Sequence, residues 1–259
     1  MDVIVIAGGI PQNDDPLFVF SQGRPKALLD IAGKPMIQWV LDALCQADSV
    51  DQMVLVGLDD SSNELFCPKA LAYIPDQGGI IENIRAGVER ILQENPDADH
   101  VLVASSDIPA ITPKIVDWVV RTAQETDHDV YYNLITRQLM EKRFPNANRS
   151  YARFKDIEVC GGDMNVVRTK FVTGNDERWQ RIIDARKNVL KQAALLGFDT
   201  LFLLLFRIST LQDAVKRVTQ RLNLTGRAIL CPFAEVGMDV DKPYQLELLR
   251  NDLAQKGNG

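Results

Sequence analysis

Along its first half the chain alternates short apolar runs with amphipathic stretches, and turn residues punctuate the two. Val3-Ile4-Val5-Ile6-Ala7 is unbroken and predicts a buried strand over residues 2–7, ending at Gly8-Gly9. After a polar loop the period changes. Ile37, Val40, Leu41 and Leu44 fall on one face and predict a helix over about 35–47. Met53–Leu58 and Leu71–Ile74 predict two more strands. The turn Asp76-Gln77-Gly78-Gly79 opens a helix over about 80–94, with Ile81, Ile84, Val88, Ile91 and Leu92 inward, and Asn95-Pro96 stops it. His100–Ala104 is nearly all apolar, the pattern of a strand covered on both faces. Thr112-Pro113 then starts a helix, with Thr112 as N-cap and Pro113 at the first helical position. Val130–Leu134 is again a strand. Such alternation predicts an α/β fold, a mostly parallel Rossmann-like sheet between two helical layers.

The second half is less regular. Residues 137–156 are polar and rich in Arg, Asn and Pro, and read as a long excursion, a lid or an acceptor-binding flap. Met164–Val167 predicts a strand and Asn175–Leu196 a long helix. Leu201–Ile208 is almost wholly apolar but far too short to span a bilayer. Core burial is its simplest use; a homo-oligomer contact or a membrane-surface contact is the alternative. A helix over 210–221 carries Leu211, Val215 and Val218 on one side and Lys216, Arg217 and Arg221 on the other. Pro243 opens the last helix, and Gln255–Gly259 is expected to be disordered. No repeat and no linker divides the chain. It reads as one domain over 1–255 with a helical insertion at about 175–222.

Composition narrows the classes. Of 259 residues 46% are apolar and 25% charged, ample for a core. With Lys+Arg 29 against Asp+Glu 35 the net charge is −6, so no basic excess is available to hold a nucleic-acid backbone. An acidic protein that binds an anion needs local basic groups or a metal. Cys45, Cys67, Cys160 and Cys231 are widely spaced and suggest neither a disulfide framework nor a zinc site. His100 and His128 abut predicted strands and suit structural roles. The chain opens directly with a strand, so a soluble cytoplasmic protein without a signal peptide is expected.

Four places could carry chemistry. Gly8-Gly9 lets backbone amides approach a ligand, and Arg24 and Lys26 bring positive charge to the same loop, a combination suited to a polyphosphate. A plain strand-to-loop turn explains the glycines equally well. Asp107, in Ser105-Ser106-Asp107-Ile108-Pro109, lies just past the carboxyl end of a central strand, where open α/β sheets bind ligands. It could hold a divalent cation or merely cap the turn before Pro109. Asp239 and Asp241 point to one side of an extended chain and could supply a second metal ligand, or Asp241 could cap the last helix. Gly161-Gly162-Asp163 could admit a ligand whose hydroxyls Asp163 or Asn165 would bind, or be a simple turn. Arg168 and Lys170 follow, as assistants to an acceptor phosphate or as solvated charges.

The segment Ala7-Gly8-Gly9, followed by Gly23-Arg24-Pro25-Lys26-Ala27-Leu28-Leu29-Asp30-Ile31-Ala32-Gly33-Lys34-Pro35-Met36-Ile37, resembles the opening signature of GT-A-fold nucleotidyltransferases. That superfamily includes MobA-like NTP transferases, the molybdenum-cofactor guanylyl- and cytidylyltransferases, and the methylerythritol-phosphate and sugar-1-phosphate enzymes. Ser106-Asp107-Ile108-Pro109 is similar to their first metal-binding Asp motif, and Asp239-Val240-Asp241-Lys242-Pro243 to their late Asp-Thr-Pro stretch. The likeness covers roughly the first 135 residues and the last 25. It implies that Ala7, Gly8 and Gly9 lie under the nucleotide and that Lys26, helped by Arg24, contacts the triphosphate. Gln77, Gly78 and Gly79 would face the base. Asp107 and Asp241, with Asp239 as competitor, would hold Mg2+, and Gly162 and Asp163 would face the acceptor. Two features depart from the family pattern: the long gap from Gly9 to Gly23, with Asp14 and Asp15 in it, and the helical part at 175–222.

The implied reaction is in-line attack by an acceptor oxygen, usually a phosphate, on the α-phosphorus of an NTP, with pyrophosphate leaving. Such an acceptor is already ionised and needs no general base, which fits the lack of a convincing catalytic His, Ser triad or Cys. A glycosyltransferase of the same fold is the alternative, although it usually carries Asp-x-Asp where this chain has Ser105-Ser106-Asp107. A non-catalytic nucleotide-binding module is a third reading. A dinucleotide enzyme fits less well, since the first turn lacks GxGxxG.

Overall fold

The computed structural model describes residues 1–59, 65–69, 71–174 and 209–256. Its centre is a four-strand parallel sheet built from β1 (Val3–Ile6), β4 (Met53–Val56), β5 (Leu71–Ile74) and β6 (His100–Ser105) in the order β5-β4-β1-β6. The sheet continues beyond β6 with β10 (Met164–Arg168), β7 (Val130–Thr136), β9 (Glu158–Gly161) and β8 (Ala152–Arg153), all paired antiparallel, while β11 (Gly226–Leu230) pairs parallel with β7. A separate two-stranded ribbon joins β2 (Asp30–Ile31) to β3 (Lys34–Pro35). The parallel half is where the apolar runs are continuous; the antiparallel half is where they break up.

Strand period sorts the core into two. Val3, Val5, Met53, Leu55, Leu102 and Ala104 face one cluster. Their neighbours Ile4, Ile6, Val54, Val56 and Val101 face the other. The first cluster lies under α2 (Met36–Gln46), α4 (Pro113–Gln124), α5 (Arg137–Arg143) and α8 (Pro243–Lys256). The second lies under α3 (Ile80–Glu94) and α6 (Thr169–Thr173). Two more helices complete the described part: the single turn α1 (Phe18–Ser21) and α7 (Leu211–Leu222). Helices thus cover both faces, as the alternation of periods predicts.

Most predicted elements appear within a residue or two of their expected bounds. Three expectations change. The stretch 137–156 is no featureless excursion, since it contains α5 and β8. Thr136 caps α5, accepting a hydrogen bond from the Leu139 amide at 3.2 Å. Thr112 does occupy the N-cap position of α4 in extended backbone, but its side chain makes no capping bond. The last helix runs to Lys256, so Gln255 and Lys256, expected to be disordered, are helical, and residues 257–259 lie outside the described residues. The predicted helix 175–196, the apolar run 201–208 and most of the insertion fall outside the described residues. Among those described, no helix is long and apolar enough to cross a membrane.

Candidate nucleotide site

Three segments distant in sequence meet beyond the carboxyl ends of β1 and β6. After β1 the chain loops out and returns in a single 3-10 turn, Lys26–Leu28, where the Lys26 amide donates to Gly9 O at 2.9 Å and closes the loop on itself. After β6 the Ser106 amide donates to Ile6 O at 3.0 Å, which holds the turn carrying Asp107 against β1. The third segment docks by the Val240 amide, 3.1 Å from Asp107 O. Lys26 Nζ therefore lies 2.7 Å from Asp107 Oδ2 and 2.7 Å from Asp241 Oδ1. The Ser105 hydroxyl donates to the other Asp107 oxygen at 2.6 Å. Burial works against charge on Lys26, but Asp107 and then Asp241 outweigh it and hold its pKa above the usual lysine value. Both carboxylates thus pair with Lys26, while the Asp241 amide donates to Gln245 Oε1 at 2.9 Å at the start of the last helix.

Asp163 faces the same cluster from β10's approach turn. Its amide donates to Val236 O and its carbonyl accepts from the Ser105 amide, both at 2.8 Å. Its Oδ2 is buried without a hydrogen bond; the nearest cation, Arg149, is 3.9 Å away. Burial first, then the charges of Asp107 and Asp241, push its pKa to about 7 against the opposing pull of Arg149 and Lys26. Gly162 is needed there for space, because a Cβ would come 2.9 Å from Val236 and 3.0 Å from Asn133 O.

The predicted base-facing turn also reaches this end of the sheet. Gly8 packs against it so tightly that a Cβ would lie 2.7 Å from Asp76 Oδ1 and 3.1 Å from Asn83 Nδ2. Asn83 is buried and organises the turn, accepting from the Gln77 amide at 2.7 Å and donating to Asp76 at 2.7 Å. The Gln77 side-chain amide donates to Pro75 O at 2.7 Å. Gly78 is left-handed at φ 82°, whereas Gly79 is extended at φ 178°. Ala7 is buried and its amide bonds Val56 O at 2.7 Å. Gly9 sits in open space at φ 149°.

Other expected residues lie elsewhere or do other work. Arg24 is exposed, and among the described residues its side chain has no ion-pair partner. Asp239 is not beside Asp241's lysine; it pairs closely with Arg149, whose side chain is largely buried. Arg168 is far from the site, because β10 runs antiparallel to β6 and places Arg168 opposite His100 while Met164 lies opposite Ala104. There it bridges Asp99, Asp127 and Asp129. Asp99, His100 and Asp127 bring ligand atoms together as a metal site would, at the opposite edge of the sheet, and Arg168 pairs there with Asp99 and Asp127. Sequence reasoning missed Asn83 and Arg149. A buried Asn between Ile81 and Ile84 was the available signal for the first; nothing in its irregular surroundings marked the second.

Two hollows flank the cluster. An apolar one of about 650 Å3 has Ser105, Asp163 and Asn165 among its walls, with α7 opposite. A polar one of about 720 Å3 is walled by residues 145–151 together with Arg137, Glu141 and Arg153, and Arg149 links it to Asp239.

A parallel sheet ordered β5-β4-β1-β6, with a lysine clasped by two aspartates beyond its carboxyl ends, where open α/β sheets bind ligands, defines an α/β protein of the doubly wound kind. More particularly, the chain belongs to the MobA-like NTP transferase domain family, whose profile matches residues 3–142. It is 31% identical over 141 residues to a 3-deoxy-manno-octulosonate cytidylyltransferase of Vibrio campbellii, a match that takes in 50% of this chain and 54% of that one. The chain thus spans about half the length of the curated relatives it matches. A solved structure from Thermus thermophilus, described as a hypothetical transferase, superposes with a TM-score of 0.80 at 32% identity, over 95% of this chain and 98% of that one. A CMP:2-keto-3-deoxy-manno-octonic acid synthetase solved with CTP shares the fold, with a TM-score of 0.57 at 16% identity over 98% and 99% of the two chains.

Proposed function

We propose that this chain is an Mg2+-dependent nucleotidyltransferase, moving an NMP from an NTP to an anionic small-molecule acceptor with release of pyrophosphate. The observation that carries the reading is the Lys26 ammonium held at 2.7 Å from both Asp107 and Asp241. A cation already occupies the space between two hard carboxylates, and that donor chemistry suits Mg2+, which takes one or two carboxylates and completes its shell with water and phosphate. Asp107 and Asp241 would hold the ion, and Asp163 is a neighbour close enough in charge to respond to it. Bound there, Mg2+ would neutralise phosphate charge and polarise the reacting phosphoryl group.

The chain's own groups divide the remaining work. Lys26 supplies fixed positive charge for the triphosphate, and exchange of its carboxylate partners for phosphate oxygens keeps it paired throughout. Gly8 and Gly9 present backbone without side chains beside the turn 76–79, which would face the base. Gly162 and Asp163 would face the acceptor, and Arg149, 3.9 Å from Asp163, leads into the polar hollow, where three arginines against Glu141 suit a phosphate or carboxylate. Either nucleophile is ionised at neutral pH, so positioning and charge neutralisation are sufficient and no general base is required.

Pyrophosphate release with each of ATP, CTP, GTP and UTP, across a panel of phosphorylated and carboxylated acceptors, tests the reading. Release that needs both Mg2+ and Lys26 supports it. Hydrolysis of a sugar nucleotide without pyrophosphate would instead favour glycosyl transfer, and calorimetric NTP binding without turnover under all conditions would favour a non-catalytic module.

A further inference from the structure

Two of the four cysteines, 22 residues apart in sequence, come together away from the nucleotide site. Cys45 lies in the last turn of α2, and Cys67 in the segment 65–69 that precedes β5. Their sulfurs are 2.7 Å apart, both side chains are partly accessible, and both are free thiols. Formation of a bond of about 2.05 Å requires the sulfurs to move by well under an ångström.

The segment is already clamped to α2 from both sides. Gln38 donates to Phe66 O at 2.7 Å and accepts from the Phe66 amide at 2.9 Å. Lys69 Nζ reaches past the helix end to Ala47 O at 2.6 Å and Val50 O at 2.5 Å, carbonyls that no helical amide satisfies. These contacts fix the backbone on each side of Cys67, so the two thiols are held together rather than meeting by chance. The same arrangement favours reactivity. The Cys67 thiol hydrogen-bonds Cys45 and, with Lys69 and against the effect of burial, draws the Cys45 thiol down to about 7. Cys160 and Cys231 are buried, and burial raises both.

We propose that Cys45 and Cys67 form a reversible redox site, a dithiol that a low-molecular-weight disulfide converts to a covalent staple between α2 and the segment leading into β5. The Cys45 thiolate attacks one sulfur of the disulfide, forming a mixed disulfide and releasing one thiolate. Cys67 gives up its proton and attacks the Cys45 sulfur, and the second thiolate leaves. The cysteine pair loses two electrons and two protons, and the small disulfide becomes two thiols. The staple makes covalent the tie that Gln38 and Lys69 make by hydrogen bonds. β5 in turn ends at the turn 76–79 beside Gly8, so the staple bears on the strand that carries one wall of the site.

The test uses the reduced full chain incubated with glutathione disulfide at pH 7.5 and read by intact mass and peptide mapping. The expected product has lost two hydrogens, carries no glutathione, links Cys45 to Cys67, and melts about 5–10 °C higher, reverting with dithiothreitol. The Cys67→Ser variant should stop at a glutathione adduct on Cys45. A wild-type chain that keeps the adduct, links another pair, or retains all four alkylatable thiols would overturn the proposal. So would a Cys67→Ser chain left unmodified at Cys45.

Discussion

Lys26 Nζ lies 2.7 Å from Asp107 Oδ2 although 81 residues separate them. The contact is fixed by backbone bonds on both sides, Lys26 N to Gly9 O and Ser106 N to Ile6 O, which tie each residue to the end of β1. It is therefore a property of the sheet, set before any ligand arrives. Lys26 also takes Asp241 as partner, so its one charge faces two, and the trio carries an excess negative charge until a divalent cation joins it.

Replacement of Lys26 by Met removes the positive charge that pairs with both carboxylates. Both Lys26 and Asp107 are mostly buried, with side-chain exposures of 20% and 16%. Loss of one partner leaves the other desolvated, and after allowance for that residual exposure the cost is about 1–3 kcal/mol. Turnover should fall by about 100-fold or more, since triphosphate charge is no longer met in the transition state. Urea unfolding and pyrophosphate release check the two effects separately. Added Mg2+ should restore stability, which measures whether an ion can take the lysine's place, but not turnover. Full activity in this variant would remove Lys26 from the site.

Asp163 predicts a slope in stability against pH. Its folded pKa of about 7 lies above the ordinary value of 3.8. Between those values the native state holds a proton that the unfolded chain has released, so this group makes stability fall as pH rises from about 4 to about 7, and the loss levels off above that. Asp163→Asn removes the group and should flatten that part of the curve, leaving the variant more stable than wild type at pH 8. Chemical denaturation of both proteins at pH 5 and pH 8 checks the sign. A wild-type fall no steeper than the variant's would contradict the burial argument.

The parallel half was legible from sequence because one period decides it. A short, β-branched run such as Val3–Ile6, closed off by Gly8-Gly9, fits a strand covered on both faces, and Ile81–Leu92 fits a helix with one apolar stripe. Asp107 was legible because strand ends are marked by where the apolar run stops. Pairings across the chain were not. Asp239 and Asp241 look equivalent on an extended strand, yet one turns to Arg149 and the other to Lys26, a choice made by the antiparallel half of the sheet, whose order no local period encodes. Arg168 shows the same limit: a five-residue strand carries it from the site edge to the opposite edge, and only strand direction tells which.

Gly57 ranks as the least replaceable glycine near the site. It has φ 108°, and a Cβ there would come within 2.1 Å of the Gly8 backbone nitrogen. Gly57→Ala therefore meets backbone rather than a movable side chain and forces the ends of β4 and β1 apart, at a cost of about 2–4 kcal/mol. Because Gly8 is displaced, NTP affinity should drop with stability. Gly78→Ala, at φ 82° but with open space around it, should cost only the backbone strain of about 1 kcal/mol. Thermal midpoints and nucleotide titrations on the two variants test the ranking, and equal effects would show that crowding at Gly57 is relieved by local adjustment.

The two late aspartates should separate cleanly in one experiment. Asp239 is nearly buried and pairs with a largely buried arginine, side-chain exposures being 11% and 15%. Asp239→Asn leaves Arg149 without a full counter-charge in a poorly solvated place, which costs about 1–3 kcal/mol of stability. Its effect on the metal requirement should be small, because Arg149 keeps it turned from Lys26. Asp241 is more than half exposed at 55%, so Asp241→Asn should change stability by no more than about 0.5 kcal/mol. As a proposed ligand to Mg2+, however, it shares Lys26 with Asp107 alone among the described residues, and its loss should raise the Mg2+ concentration needed for half-maximal activity about 10-fold or more. Unfolding curves and Mg2+ titrations of both variants decide the matter. If Asp239→Asn shifts the Mg2+ requirement and Asp241→Asn does not, the two residues exchange roles, and the Arg149 pair must open when substrate binds.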